Sequence, residues 1–197
     1  MNSMRWAASF GLALAMLPGI AAAQGIHVTP AFGVFIPASD LEGIRDGVQT
    51  AEVSREGTLG IGLNIESGWL RGSIAYASGA TLSAEGTEGD IGDGSVLAIA
   101  ADIVVRPLPR LLVQPYLLGG AGFKNQSFSY DDDGIGNALQ EDQRDLTLHV
   151  GIGADLMFGR FGIMAEISDY ISQDGNDEWG QHDAFAMVGL RLKLGGN

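Results

Sequence analysis

Several side chains in this sequence have the types needed for hydrolytic or proton-transfer chemistry. His182 and Asp183 are adjacent, and Ser168 and Ser172 lie upstream, so the residue types of a serine hydrolase are present. The spacing matches no known pattern, and the chain has no Gly-x-Ser-x-Gly turn to expose a nucleophilic serine. His149 is a separate candidate, because an imidazole titrates near neutral pH. We expect it to join a polar network, and a hydrolase remains an alternative.

The densest carboxylate cluster is Asp131, Asp132, Asp133 and Gly134. Its middle positions suit a calcium loop that starts at Ser129. Positions one and twelve of such a loop would be Ser129 and Gln140, and neither supplies the expected carboxylate. The sequence therefore predicts no catalytic, cofactor or metal site. Loose binding of divalent cations by acidic loops is the one metal interaction that we expect.

Composition limits the class of protein that can carry these residues. The chain has 197 residues, no Cys, 30 Gly and a formal net charge of −13. The absence of Cys excludes disulfide scaffolds, thiol catalysis and Cys-based zinc sites. So acidic a chain is unsuited to nucleic acid, whose phosphates require a basic surface.

The first residues have the pattern of an export signal. Arg5 precedes an apolar segment at 6–17, and Ala21-Ala22-Ala23 provides the small residues that signal peptidase requires. We predict a signal peptide at 1–23 and a barrel domain at 24–197. Cleavage would change the net charge from −13 to −14, because the segment carries only one charged residue, Arg5. The apolar segment is shorter than the roughly 20 residues of a transmembrane helix.

The rest of the chain alternates with the period of two that is typical of β-strands. Eight strands are predicted, at 26–36, 58–66, 69–78, 96–105, 112–124, 145–158, 161–172 and 184–194. Short turns at 67–68, 106–111 and 159–160 alternate with long connections at 37–57, 79–95, 125–144 and 173–183. Short turns at one end and long loops at the other are typical of outer-membrane barrels. Acidic residues are concentrated in the long connections, whereas the short turns carry only arginines.

The two faces of the strands differ in a way that favours a membrane barrel. One face is apolar, and we expect Leu63, Ile99, Val150, Ile163 and Leu190 to point outward to lipid. The other face is rich in small residues, with sparse charges of both signs that suit a narrow interior. Isolated charges there would be costly, so we expect a paired network that fills the lumen, with Glu166 and Arg191 as the first pair. Its predicted members are Glu66, Arg71, Asp102, Tyr116, Lys124, His149, Asp155, Glu166, Arg191 and Lys193.

Four short motifs suggest a family. They are FGVFIP at 32–37, PYLLGGAGF at 115–123, EISDY at 166–170 and GLRLKL at 189–194. Their order and spacing, together with the export signal, make the chain resemble the small outer-membrane β-barrel proteins of the OmpA/OmpX-like superfamily. The resemblance implies an all-β, eight-stranded antiparallel transmembrane barrel in the bacterial outer membrane, folded by the barrel-assembly machinery. It supplies no catalytic residues.

We therefore expect a non-enzymatic barrel with a structural or surface-interaction role. Its expected partners are outer-membrane lipid, lipopolysaccharide, the assembly machinery and divalent cations, without cofactors or nucleic acid. Three alternatives remain: a narrow pore for ions or small solutes, a soluble periplasmic lipocalin-like barrel that binds lipid, and the hydrolase. The soluble barrel requires an apolar lumen, so the orientation of the two faces distinguishes it from the others.

Overall fold

The computed structural model describes residues 25–38, 41–45, 48–84, 92–130, 143–173 and 179–195. The expected signal peptide and the cluster at 131–134 lie outside the described residues. No α-helix in these ranges is long and apolar enough to cross a membrane. The described strands are β1 (Ile26–Pro37), β2 (Leu41–Arg45), β3 (Val48–Arg55), β4 (Thr58–Ser67), β5 (Leu70–Ala84), β6 (Gly92–Val105), β7 (Val113–Tyr130), β8 (Gln143–Phe158), β9 (Phe161–Gln173) and β10 (Trp179–Leu194).

Eight of these strands form a closed antiparallel barrel. Their order around the wall is β1-β4-β5-β6-β7-β8-β9-β10, and β10 pairs with β1 to close the ring. The eight-stranded barrel expected from the sequence is thus confirmed. The long connection predicted at 37–57 contains a hairpin formed by β2 and β3, which the sequence pattern did not predict. The end of β3 extends the sheet by pairing with β5 beyond the part of β5 that pairs with β4.

The three short turns lie at one end of the barrel, which we call the short-turn end. Gly68 follows β4 with φ 63°, and Gly159 follows β8 with φ 66°. Both glycines adopt the left-handed backbone conformation that permits so tight a reversal. The third connection runs from Arg106 to Leu112 between β6 and β7. These positions confirm the turns predicted from the sequence.

The strands extend further toward the opposite end than the sequence pattern suggested. β5 continues to Ala84, β7 continues to Tyr130, and β10 begins at Trp179 instead of Ala184. Backbone hydrogen bonds hold an antiparallel ladder together whether or not its outward side chains are apolar. The ladder therefore persists where apolar alternation ends, and it includes Arg55 and Asp183, which the sequence reading assigned to loops.

The exterior of the barrel is apolar and its interior is polar. Ile99, Val150, Ile163 and Leu190 are 42–51% exposed. Leu63 lines an outer apolar groove together with Ile99. The lipid-facing direction predicted for these residues is confirmed. Exposed aromatic side chains of Trp69, Phe158 and Phe161 surround the short-turn end, as in the aromatic girdles of membrane barrels. A soluble barrel with an apolar lumen is excluded, because the buried side chains include many charges.

Candidate functional site

The interior of the barrel is the candidate site, because sparse charges from seven of the eight barrel strands, from β3 and from one short turn come together there. Of the ten residues predicted to face the lumen, nine are at most 7% exposed. The exception is Lys193, which is half-buried at the short-turn end. Inward positions alternate along each strand, so every charge enters the lumen at a height set by its register. The interactions form three layers along the barrel axis.

The layer nearest the short-turn end contains three carboxylates and three guanidinium groups. Glu66 is central to it: its Oε1 lies 2.6 Å from Arg191 Nη2 and 2.9 Å from Arg106 Nη1, and its Oε2 lies 3.1 Å from Arg71 Nη2. Arg106 also contacts Asp155, with 2.8 Å between Nη2 and Oδ2. Each buried charge therefore has an opposite charge beside it, which offsets much of its desolvation cost.

One ion pair in this layer crosses the full width of the barrel. Arg71 on β5 donates to Glu166 on β9, and these strands occupy opposite positions in the ring. The Tyr116 hydroxyl donates to the same carboxylate at 2.7 Å, and the Arg71 guanidinium lies 4.8 Å from the centre of the Tyr116 ring. These contacts connect facing walls and occupy the space between them.

Arg106 is a member of this layer that the sequence analysis assigned only to a short turn. Its side chain reaches back from the turn after β6 into the lumen and remains 14% exposed. Burial alone would lower the pKa of Arg106, but the carboxylates of Glu66 and Asp155 outweigh this effect and raise the pKa above its ordinary value. The inward direction of Arg106 could have been predicted from the alternation along β6, because Asp102 and Val104 have the same parity and are both buried.

The middle layer is built around Asp102 and His149. Asp102 Oδ1 lies 2.8 Å from His149 Nδ1, and Ser73 donates to Asp102 Oδ2 at 2.6 Å. The His149 ring stacks on Tyr170 with centroids 4.1 Å apart, and Tyr170 contacts Phe185 edge-on. The imidazole is held by an acid on one side and an aromatic ring on another, which suits a packed interior.

The third layer lies toward the long-loop end and centres on Asp183. This carboxylate accepts from Lys124, and its Oδ1 lies 2.7 Å from Arg55 Nη2. Lys124 also donates to Ser172 at 2.8 Å, and Arg55 donates to Gln126 at 3.2 Å. Neither Arg55 nor Asp183 was among the predicted lumenal residues. Arg55 lies on β3, which the sequence pattern did not predict, and Asp183 lies on the part of β10 before the predicted start at 184. Asp183 does continue the inward parity of Arg191 along β10, so the signal was present.

The pair proposed between Glu166 and Arg191 is not formed. The β9–β10 register places Glu166 opposite Met187 and Arg191 opposite Gly162, so the two charges lie at different heights. Arg191 binds Glu66 instead, and Glu166 binds Arg71. Adjacency of the strands was therefore a poor guide to pairing, because register and the narrow diameter decided the partners.

The serine-hydrolase set does not assemble. Ser168 and Ser172 point into the lumen, whereas His182 lies on the outer face and contacts Asp169, with 2.6 Å between Nδ1 and Oδ2. Asp183 faces inward to its cations, so the adjacent His and Asp residues diverge. Within the described ranges, no group of three or more His, Cys, Asp or Glu side chains converges in a metal-binding arrangement.

Glycines on the inner wall make room for these layers. A Cβ at Gly153 would lie 2.4 Å from the Tyr116 ring and hydroxyl, and one at Gly120 would lie 2.4 Å from Asp102 Oδ1. Tyr116 and Asp102 are the register partners of Gly153 and Gly120 on the neighbouring strands. The small residues on the polar face therefore leave room for the large polar side chains of the strand beside them.

Comparison with known proteins identifies the architecture. No protein-family model matches the chain, and no curated protein matches it in sequence. The outer membrane protein OprG from Pseudomonas aeruginosa aligns with a TM-score of 0.62 at 15% identity, over 90% of this chain and all of that one. Neisserial surface protein A aligns with a TM-score of 0.47 at 12% identity, over 86% of this chain and 96% of that one. Ail of Yersinia pestis, solved in complex with the heparin analogue sucrose octasulfate, aligns with a TM-score of 0.42 at 17% identity, over 86% of this chain and 98% of that one.

The OprG alignment agrees with the apolar exterior and the polar, closed interior, which indicate a membrane-spanning barrel. Identity this low shows the fold alone. The chain has the fold of the small eight-stranded β-barrels of bacterial outer membranes, as its OmpA/OmpX-like motifs predicted.

Proposed function

We propose that this protein is a non-enzymatic outer-membrane barrel whose lumen is closed by paired side chains, and that it has a structural or surface-interaction role. The ion pair between Arg71 and Glu166 carries the proposal, because it joins strands on opposite sides of the ring. Tyr116 fills the space beside this pair and donates to the same carboxylate. Eight strands leave an interior just wide enough for side chains to fill.

The balance of charge inside the barrel favours a lumen closed by side chains, which we call the plug, over an open pore. In the part of the chain that the structure describes, the acids of the network are Glu66, Asp102, Asp155, Glu166 and Asp183. The bases that contact them are Arg55, Arg71, Arg106, Lys124 and Arg191, with His149 beside Asp102. A wide aqueous channel would solvate its charges and would not require such pairing.

Conductance in planar lipid bilayers tests the proposal. We expect the refolded protein to show no steady, large single-channel conductance. The double variant Arg71→Ser/Glu166→Ser removes the transverse pair without changing net charge, so it should conduct more and serves as the positive control. Steady conductance by the unmodified protein at the level of the double variant would overturn the plug and favour the narrow pore.

The remaining parts of the proposal concern the envelope. We propose export through a signal peptide cleaved after residue 23, which the residue pattern at 1–23 supports. Insertion by the barrel-assembly machinery is what the family resemblance implies. The acidic long connections support contacts with lipopolysaccharide phosphates bridged by divalent cations, since like charges need such a bridge. Cell fractionation with and without a chelator tests this contact: chelation should reduce co-purification of lipopolysaccharide while the barrel stays heat-modifiable.

A further inference from the structure

A cup opens at the short-turn end of the barrel, below the layer of ion pairs around Glu66. It has a volume of about 350 Å³, which lies in the range of about 300–1,000 Å³ typical of small-ligand pockets. Its polar lining includes His27, Glu66, Arg106, Gln114, Arg191 and Lys193. Short turns face the periplasm in barrels of this type, so the cup opens to the periplasmic side.

Three of the side chains that line the cup take no part in the ion pairs around Glu66. They are Lys193, His27 and Gln114. Among the residues that the structure describes, no carboxylate lies within 4.0 Å of the Lys193 ammonium. His27 Nδ1 is buried without a hydrogen-bond partner, and the Gln114 side chain makes no hydrogen bond to another described residue. Buried polar atoms without partners are uncommon in folded proteins and call for an explanation.

The charge of the cup favours a negative ligand. Its lining holds the cations of Arg106, Arg191 and Lys193 against the single carboxylate of Glu66. Asp155 balances part of the Arg106 charge from behind, but no carboxylate in the described part of the chain balances Lys193. Lys193 pairs in register with His27 across the β1–β10 ladder, so both side chains project at the same height. An ammonium, an imidazole and an amide then converge on one space.

We propose that this cup binds an oxyanion of the phosphate type, held by Lys193, His27 and Gln114 with the edge of Arg106. A phosphate presents several acceptor oxygens, and these side chains present several donors around a pocket of suitable size. The phosphate can belong to a small soluble ester in the periplasm or to the headgroup of an inner-leaflet lipid. The inference goes beyond the proposed plug, because binding is measured independently of conductance.

The test is an NMR titration of the refolded, isotope-labelled protein in a phosphate-free detergent. Inorganic phosphate is added at constant ionic strength, and amide shifts of His27, Gly68 and Lys193 are followed. We expect saturable shifts confined to the cup. Lys193→Gln should weaken binding about tenfold or more, because it removes a charged hydrogen-bond donor. Arg110→Gln, at an exposed turn arginine that does not line the cup, is the matched control and should bind as the unmodified protein does.

Separate samples distinguish the two sources of phosphate. Phosphatidylglycerol is added to the micelles in place of the soluble ion, and the same shifts without inorganic phosphate would identify the lipid headgroup. His27→Gln is the second variant if Lys193→Gln does not refold, and it should also weaken binding. Shifts that never saturate, or an equal loss of binding in Arg110→Gln and Lys193→Gln, would overturn the site and leave only diffuse attraction to a basic rim.

Discussion

Substitution of Glu66 by glutamine is the sharpest perturbation of the charged interior. Glu66 is 3% exposed and contacts Arg71, Arg106 and Arg191. Glu66→Gln keeps the shape of the side chain but removes its charge, and its amide nitrogen would face guanidinium donors. Arg71 and Arg106 retain other carboxylates, whereas Arg191 retains only Asp155, at 3.7 Å between Nη1 and Oδ2.

One buried guanidinium is thus left nearly unpaired in the Glu66→Gln variant. Removal of one partner from a buried ion pair costs about 3–5 kcal/mol. Because the new amide still accepts one hydrogen bond, we expect a loss near the lower limit, about 3 kcal/mol in the free energy of unfolding. The double variant Glu66→Gln/Arg191→Met should regain most of this loss, because it removes the cation that the single variant leaves unpaired.

The free energies are measured by urea unfolding of the barrel in lipid vesicles, followed by tryptophan fluorescence and extrapolated linearly to zero urea. Asp93→Asn, at an exposed carboxylate on β6, is the matched control and should change stability by no more than about 0.5 kcal/mol. A Glu66→Gln cost below about 1 kcal/mol would show that water solvates these charges, and it would refute the paired interior.

Three further substitutions test the exterior, the packing and the third layer. Ile99→Arg on the lipid face should cost about 2–4 kcal/mol in the same assay, with Ile99→Leu as a near-silent control. Gly153→Ala should displace Tyr116 and cost about 1–3 kcal/mol. Gly119→Ala, where an added Cβ meets nothing within 4 Å, should be tolerated, and equal losses in both would contradict the tight lumen. Asp183→Asn should cost about 3–5 kcal/mol, because it removes the carboxylate that contacts both Lys124 and Arg55; a loss below about 1 kcal/mol would count against that layer.

Val150 is a poorer site for a charge on the lipid face. Its register partner on β9 is Asp169, whose carboxylate points outward between two isoleucines. An arginine at Val150 would lie beside this carboxylate and could pair with it. The alternation of β8 predicted the orientation of Val150, but only the β8–β9 register shows which charge lies beside it.

The local features of this barrel were determined by the sequence alone. Alternation of apolar and small residues sets which side chains face lipid, since neighbouring residues on a strand point to opposite faces. Gly68 and Gly159 mark two of the tight turns, and both adopt a left-handed backbone conformation. The number of barrel strands, the three short turns and the lipid face follow from signals that span only a few residues.

Only the tertiary structure decided which charges meet. Arg71 pairs across the ring with Glu166, although 95 residues separate them in the chain. Closure of the barrel and the stagger between strands set the height of each inward side chain, and neither quantity is encoded in a local pattern. The extents of β5 and β10 were also decided at this level, because backbone pairing continues past the last apolar residue. Asp183 therefore became part of the interior, and Arg55 joined it on β3, which pairs with the extended end of β5, although the sequence pattern had placed both residues in loops.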